Sequence, residues 1–100
     1  MPKGASNKNN KKGESSIEIF KALSDDTRFA IVSFLSKNEV VSCKEISEKF
    51  QTLSQPTMSH HFKVLADIGI VDVTKSGTEN LYKLKIDKLK NAGINIEKVF

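Results

Sequence analysis

Apolar residues recur at helical spacing in four successive stretches of the chain and then switch to alternation. Ile17, Phe20 and Leu23 share one side of a short helix over 17–23. Ser24-Asp25-Asp26 interrupts it and supplies the next N-cap, with acidic residues at the positive end of the helix dipole. Thr27 to Ser36 forms a second helix with Ile31, Phe34 and Leu35 buried and Val32 partly so, and Lys37-Asn38-Glu39 is a turn. Val40 and Val41 are β-branched and suit a very short strand. Ser42-Cys-Lys-Glu45 is a capping box opening a helix to about Phe50, with Cys43, Ile46 and Phe50 inward. After the turn Gln51-Thr52-Leu53, Ser54 caps the longest helix, Pro56 fits its first turn, and Gly69 ends it in the left-handed conformation. Met58, Phe62, Leu65 and Ile68 make its apolar stripe.

From Ile70 the period is two. Ile70, Val71 and Val73, the polar turn Lys75-Ser76-Gly77-Thr78, and Leu81, Tyr82 and Leu84 predict a β-hairpin. Two short helices with a tight turn and complementary apolar faces make a helix-turn-helix, and a hairpin directly behind the second helix is a wing. The fold class expected is mainly α with a small β-hairpin (α+β), a winged helix-turn-helix. Asp87 caps a short helix through Leu89, Gly93 interrupts it, and Ile94, Ile96, Val99 and Phe100 remain apolar. That surface wants a cover, either the first helix or a second subunit.

Composition changes this picture little. One hundred residues, 38% hydrophobic and 28% charged, are those of one ordinary globular domain. The net charge of +4 permits a polyanionic partner without demanding one, because Lys3, Lys8, Lys11 and Lys12 face only Glu14 in the first sixteen residues. Those residues, 1–16, are rich in Asn, Lys, Gly and Ser and are expected to form a disordered basic tail, leaving 17–100 as the domain. A single Cys43 excludes an internal disulfide framework and fits a reducing compartment. No apolar run approaches the ~20 residues of a membrane span, and no apolar segment follows the N-terminal lysines as in a secretory signal. A cytoplasmic protein without membrane contact is expected.

The chemistry on offer is that of contact, not catalysis. Gln55, Thr57, Ser59, His60 and Lys63 occupy the face of the long helix opposite its apolar stripe, almost free of negative charge. Such a face suits the DNA major groove, with Gln55 able to bond adenine through its amide and Lys63 better placed for a phosphate. Ser54 stands at the start of that face, and Lys75 and Thr78 of the wing suit backbone or minor groove. No paired carboxylates, nucleophile with a base, metal cluster or phosphate-cradling Gly loop is present, so no enzyme and no cofactor is expected. A competing reading is a winged helix used for protein–protein contact. It predicts an apolar or acidic face, whereas this one is polar and neutral to basic.

Three words in the chain carry a family resemblance: Ala22-Leu-Ser-Asp-Asp-Thr-Arg28, Leu53-Ser-Gln-Pro-Thr-Met-Ser-His-His-Phe-Lys-Val-Leu65 and Gly69-Ile-Val71. Over residues 17–84 the chain strongly resembles the ArsR (ArsR/SmtB) family of bacterial winged-helix repressors. The resemblance implies a homodimer that binds double-stranded DNA at an inverted-repeat operator, with the first and last helices as the interface. Here the first helix supplies Ile17 and Phe20, and the C-terminal tail Leu89, Ile94, Ile96, Val99 and Phe100.

The chain also departs from the family pattern. The Cys-x-Cys pair of metal-sensing members falls at Ser42 and Lys44, and Cys43 lies between them. His60 and His61 are adjacent and diverge by about 100° on a helix, and the C-terminal segment has no His, so no metal site is expected. The turn before Ser54 is one residue longer than usual, and Thr74, Lys75 and Thr78 stand where arginines are common in the family's wing.

Overall fold

A computed structural model describes residues 16–100. The basic tail expected over 1–16 lies outside the described residues except for Ser16, which belongs to the first helix and not to the tail. That helix, α1, is described over residues 16–23. Its core-facing positions are Ile19 and Ala22, with Leu23 half-buried, while Ile17 and Phe20 stay 55% and 53% exposed. Helix α2 (Asp26–Ser36) starts where the Asp25 carboxylate accepts the Arg28 N–H at 3.0 Å. Its apolar residues bury Ile31, Val32 and Leu35, Val32 completely and not partly as its pattern suggested.

Strand β1 (Val41–Ser42) pairs antiparallel with the later strand β3 (Glu79–Leu84) at Val41↔Tyr82 and Ser42↔Leu81. Val40 stays outside the strand and is exposed. Helix α3 (Cys43–Lys49) opens on a complete capping box: the Glu45 N–H donates to Ser42 Oγ at 3.1 Å and the Ser42 N–H to Glu45 Oε1 at 2.8 Å. Ile46 is fully buried, Cys43 and Phe50 partly. Helix α4 (Gln55–Asp67) buries Met58, His61, Phe62 and Leu65, the i, i+3, i+4, i+7 positions of one stripe. It closes on Gly69 at φ +85°, with the Gly69 N–H bonded to the Ala66 carbonyl at 3.0 Å and the Ile70 N–H to that of Leu65 at 3.2 Å. This is the Schellman arrangement, and its accompanying apolar pair, Leu65 and Ile70, is completely buried.

The wing consists of β2 (Val71–Ser76) and β3 (Glu79–Leu84), so the three-stranded sheet has the order β1-β3-β2. The turn is tighter than the sequence suggested. Lys75 and Ser76 belong to β2, paired with Asn80 and Glu79, and only Gly77-Thr78 form the loop. Gly77 at φ +65° sits at the first loop position, where a two-residue hairpin needs a left-handed residue. Tyr82 stacks on Phe62 with ring centroids 3.9 Å apart and planes 20° from parallel, fixing α4 against the sheet. Burial there pushes the Tyr82 phenol up from its ordinary pKa.

After the wing the chain makes α5 (Ile86–Asn91) and α6 (Ile96–Val99). Asp87 does not cap α5. It lies in the first turn, and Lys85 holds the cap position without a side-chain hydrogen bond. The last segment folds back on α2: Phe100 packs on Phe29 with centroids 4.9 Å apart, and Lys37 Nζ donates to the Phe100 carbonyl at 3.0 Å. Of the residues expected at a subunit interface, Leu89 and Ile94 are buried in the chain's own core at 0% and 6% exposed, whereas Val99 is 44% exposed and Ile96 and Phe100 are partly buried. Among the described residues, no helix is long and apolar enough to cross a membrane.

Candidate nucleic-acid interface

Because α4 spends one stripe on the core, its other face is left to solvent. Gln55, Thr57, Ser59, His60 and Lys63 are all exposed, and no acidic residue occurs from 54 to 66. The first turn of the helix carries no acidic residue and leaves its positive dipole end exposed, although Ser54 already takes the Thr57 N–H and Pro56 has none.

The residues of this face are not equally free. The Ser54 hydroxyl accepts the Thr57 N–H at 3.3 Å and donates to Thr57 Oγ1 at 2.9 Å, so it serves the cap first. Gln55 Nε2 donates to Ser47 Oγ on α3 at 3.1 Å, tying the two helices of the motif together. One N–H and the carbonyl of the amide remain. Lys63 reaches Asp67 one turn on, at 3.3 Å, in an exposed pair that a phosphate readily displaces. Lys75 and Thr78 are exposed on the wing, a separate element from α4. Six of the eight candidate contacts therefore stand on α4 or its cap, and two on the hairpin.

Directly beneath the exposed face lies a contact that the apolar pattern did not reveal. His61 is only 9% exposed, and its Nδ1 lies 3.1 Å from Arg28 Nη1. The guanidinium Nε donates to the Ala22 carbonyl at the end of α1, also at 3.1 Å. Burial lowers the His61 pKa and the Arg28 charge adds to this, while Asp25 opposes both. The Arg28 N–H lowers the pKa of the Asp25 carboxyl that caps α2. Two signals in the sequence pointed here. His61 sits three residues after Met58 and four before Leu65, and Arg28 is the one arginine among fifteen lysines.

The nearest thing to a metal-ligand set is no set. His60 and His61 hold their rings 5.9 Å apart at 53°, and among the described residues no three His, Cys, Asp or Glu side chains converge.

The comparisons with known proteins match this geometry. Residues 23–74 fit a family model described as a helix-turn-helix domain. The chain is 42% identical over 80 residues to an uncharacterized HTH-type transcriptional regulator of Methanocaldococcus jannaschii, covering 79% of this chain and 88% of that one. It is 39% identical over 79 residues to the arsenical resistance operon repressor of Staphylococcus xylosus, covering 79% and 74%. A solved ArsR family transcriptional regulator superposes with a TM-score of 0.71 at 25% identity, over 81% of either chain. The chain belongs to the ArsR family of winged helix-turn-helix, DNA-binding transcriptional regulators.

Proposed function

We propose that this protein is a homodimeric repressor that reads an inverted-repeat operator with α4. The observation that carries the reading is the outer face of that helix. Gln55, Ser59 and His60 are exposed on its first two turns, free of acidic neighbours, over a stripe anchored to the core. In helix-turn-helix proteins that end of the recognition helix meets the base edges. Gln55 supplies the adenine-reading amide, Ser59 and His60 adjacent polar contacts, Thr57 and Lys63 contacts to phosphate, and Lys75 and Thr78 the wing's hold on the backbone. Ser54 acts as the cap that orients the first turn. Repression follows the relative named as an operon repressor.

The test is selection of bound duplexes from a random pool, followed by affinities at one salt concentration. The expected product is an inverted repeat with half-site centres about one DNA turn apart. On it, Gln55→Ala costs about 1–3 kcal/mol and much less on random DNA. An equal loss on both DNAs removes Gln55 from sequence reading. Failure to enrich any duplex removes the proposal.

A further inference from the structure

We propose that Arg28 and His61 form a positioning lock that sets the pose of α4 on DNA and is closed only while His61 is uncharged. The inference rests on the reading of α4 as the DNA-contacting helix. Three helices meet at one guanidinium. Arg28 springs from the first turn of α2, its Nε bonds the carbonyl of Ala22 at the end of α1, and its Nη1 bonds His61 Nδ1 in α4.

A guanidinium only donates, so Nδ1 must be the acceptor and the proton must sit on Nε2. The two bonds leave Arg28 from different nitrogens of a rigid fork, a geometry that a single ammonium does not reproduce. In a chain that otherwise uses lysine for every cation, the one arginine stands where a fork is needed.

The neighbouring residue gives the lock its consequence. His61 is buried at the root of the turn that carries His60 and Ser59 outward. A shift at His61 therefore moves the contacting face directly, and misplacement of about 1 Å is enough to degrade a site of this kind.

Protonating His61 converts its acceptor into a donor and sets two cations face to face in a poorly solvated place. The charged and titratable groups facing it are Asp25 and Arg28 at the start of α2 and His60 on its own helix. Only Asp25 favours the charged ring, and burial outweighs it. Because the folded-state pKa is lowered, the unfolded chain binds the extra proton first. Stability is thus constant above the unfolded value of about 6.5 and declines as pH falls from there toward the folded value.

The experiment measures affinity for the duplex enriched from the random pool between about pH 8 and pH 5.5. The full chain is used in a His60→Gln background, which removes the other histidine together with one proposed DNA contact, so each profile is referred to that variant's own affinity at about pH 8. Urea unfolding is followed in parallel. The expected result is a loss of affinity and of stability on acidification. His61→Asn, whose side-chain oxygen stands in for Nδ1 but does not titrate, should flatten both pH profiles. Arg28→Lys should weaken binding at neutral pH by about tenfold, as loss of a part-buried charge-assisted bond would. Unchanged pH profiles in His61→Asn overturn the lock. So does full affinity in Arg28→Lys; if that variant fails to fold, the His61→Asn profiles alone decide. Gln55→Ala, run alongside, separates the two ideas. If it costs nothing on the enriched duplex while His61→Asn flattens both pH profiles, the lock stands and Gln55 drops out of the sequence reading. If no duplex is enriched at all, the DNA-reading role of α4 falls, while a flattened stability profile still reports the Arg28–His61 contact.

Discussion

A side chain already bonded within the protein reaches DNA only by sharing or surrendering that bond, and this ranks the candidate contacts. Ser54 is the most committed, since its hydroxyl both accepts from and donates to Thr57. Gln55 is partly committed, but Ser47 takes only one of its two N–H donors, so the edge that matches adenine stays available. Even full release of that exposed bond costs about 0.5–1.5 kcal/mol net, no more than a bidentate base contact returns. Lys75 differs in kind. It is an exposed cation on a strand of the wing, opposite Asn80, and not on the helix proposed to enter the major groove. Lys75→Ala should therefore weaken binding to all sequences alike and lower the slope of log K against log salt by up to about one unit. Titration of cognate and random duplexes at several salt concentrations checks this. A changed base preference at an unchanged slope would contradict a phosphate role.

At the scale of the element, α4 is held at both ends by local chemistry: Ser54 at its start and Gly69 at its finish. An alanine at 69 would meet no atom within 4 Å, so its penalty is backbone strain alone at φ +85°. Gly69→Ala should destabilise the fold by about 1–2 kcal/mol, read as a lower urea midpoint with an unchanged slope. No loss of stability would mean that the helix end relaxes to another cap. Ends of this kind were legible in the sequence because a cap is decided within four residues. The capping box at Ser42 and Glu45 and the glycine closing α4 stand where their types placed them. What stayed illegible depends on distant partners. Nothing local says that His61 bonds a guanidinium 33 positions away, or that Phe100 rests on Phe29. Leu89 on α5 and Ile94 in the link to α6 show the same limit: an apolar residue in a short C-terminal segment suits a subunit interface or a core equally, and here the core takes both. The outer face of α4 was legible in advance for the opposite reason. It is defined by what the core leaves out.

For the whole molecule the remaining apolar surface sets the question of assembly. With Leu89 and Ile94 internal, the expected contact residues that keep surface are Ile17 and Phe20 on α1, Val99 on α6, and the half-covered Ile96 and Phe100. Ile17 and Phe20 lie three residues apart on one helix, each more than half exposed, so together they present an apolar ridge that the core does not absorb. Exposed apolar ridges of this sort are characteristic of protein contacts. A second copy is the partner that the proposed inverted-repeat operator also requires, because a twofold axis places two α4 helices on successive turns of one groove. The protein at micromolar concentration is thus expected to scatter light as twice the chain mass of 11.1 kDa. Phe20→Glu, a surface change, should return the mass to that of one chain without unfolding it. It should also reduce affinity for the full repeat by about 10²-fold or more, since the second half-site then binds from free solution and not at a high effective concentration. Affinity for an isolated half-site should change little. A wild-type mass of one chain, or a Phe20→Glu variant that stays paired and binds the repeat undiminished, would place the contact elsewhere or dispense with it.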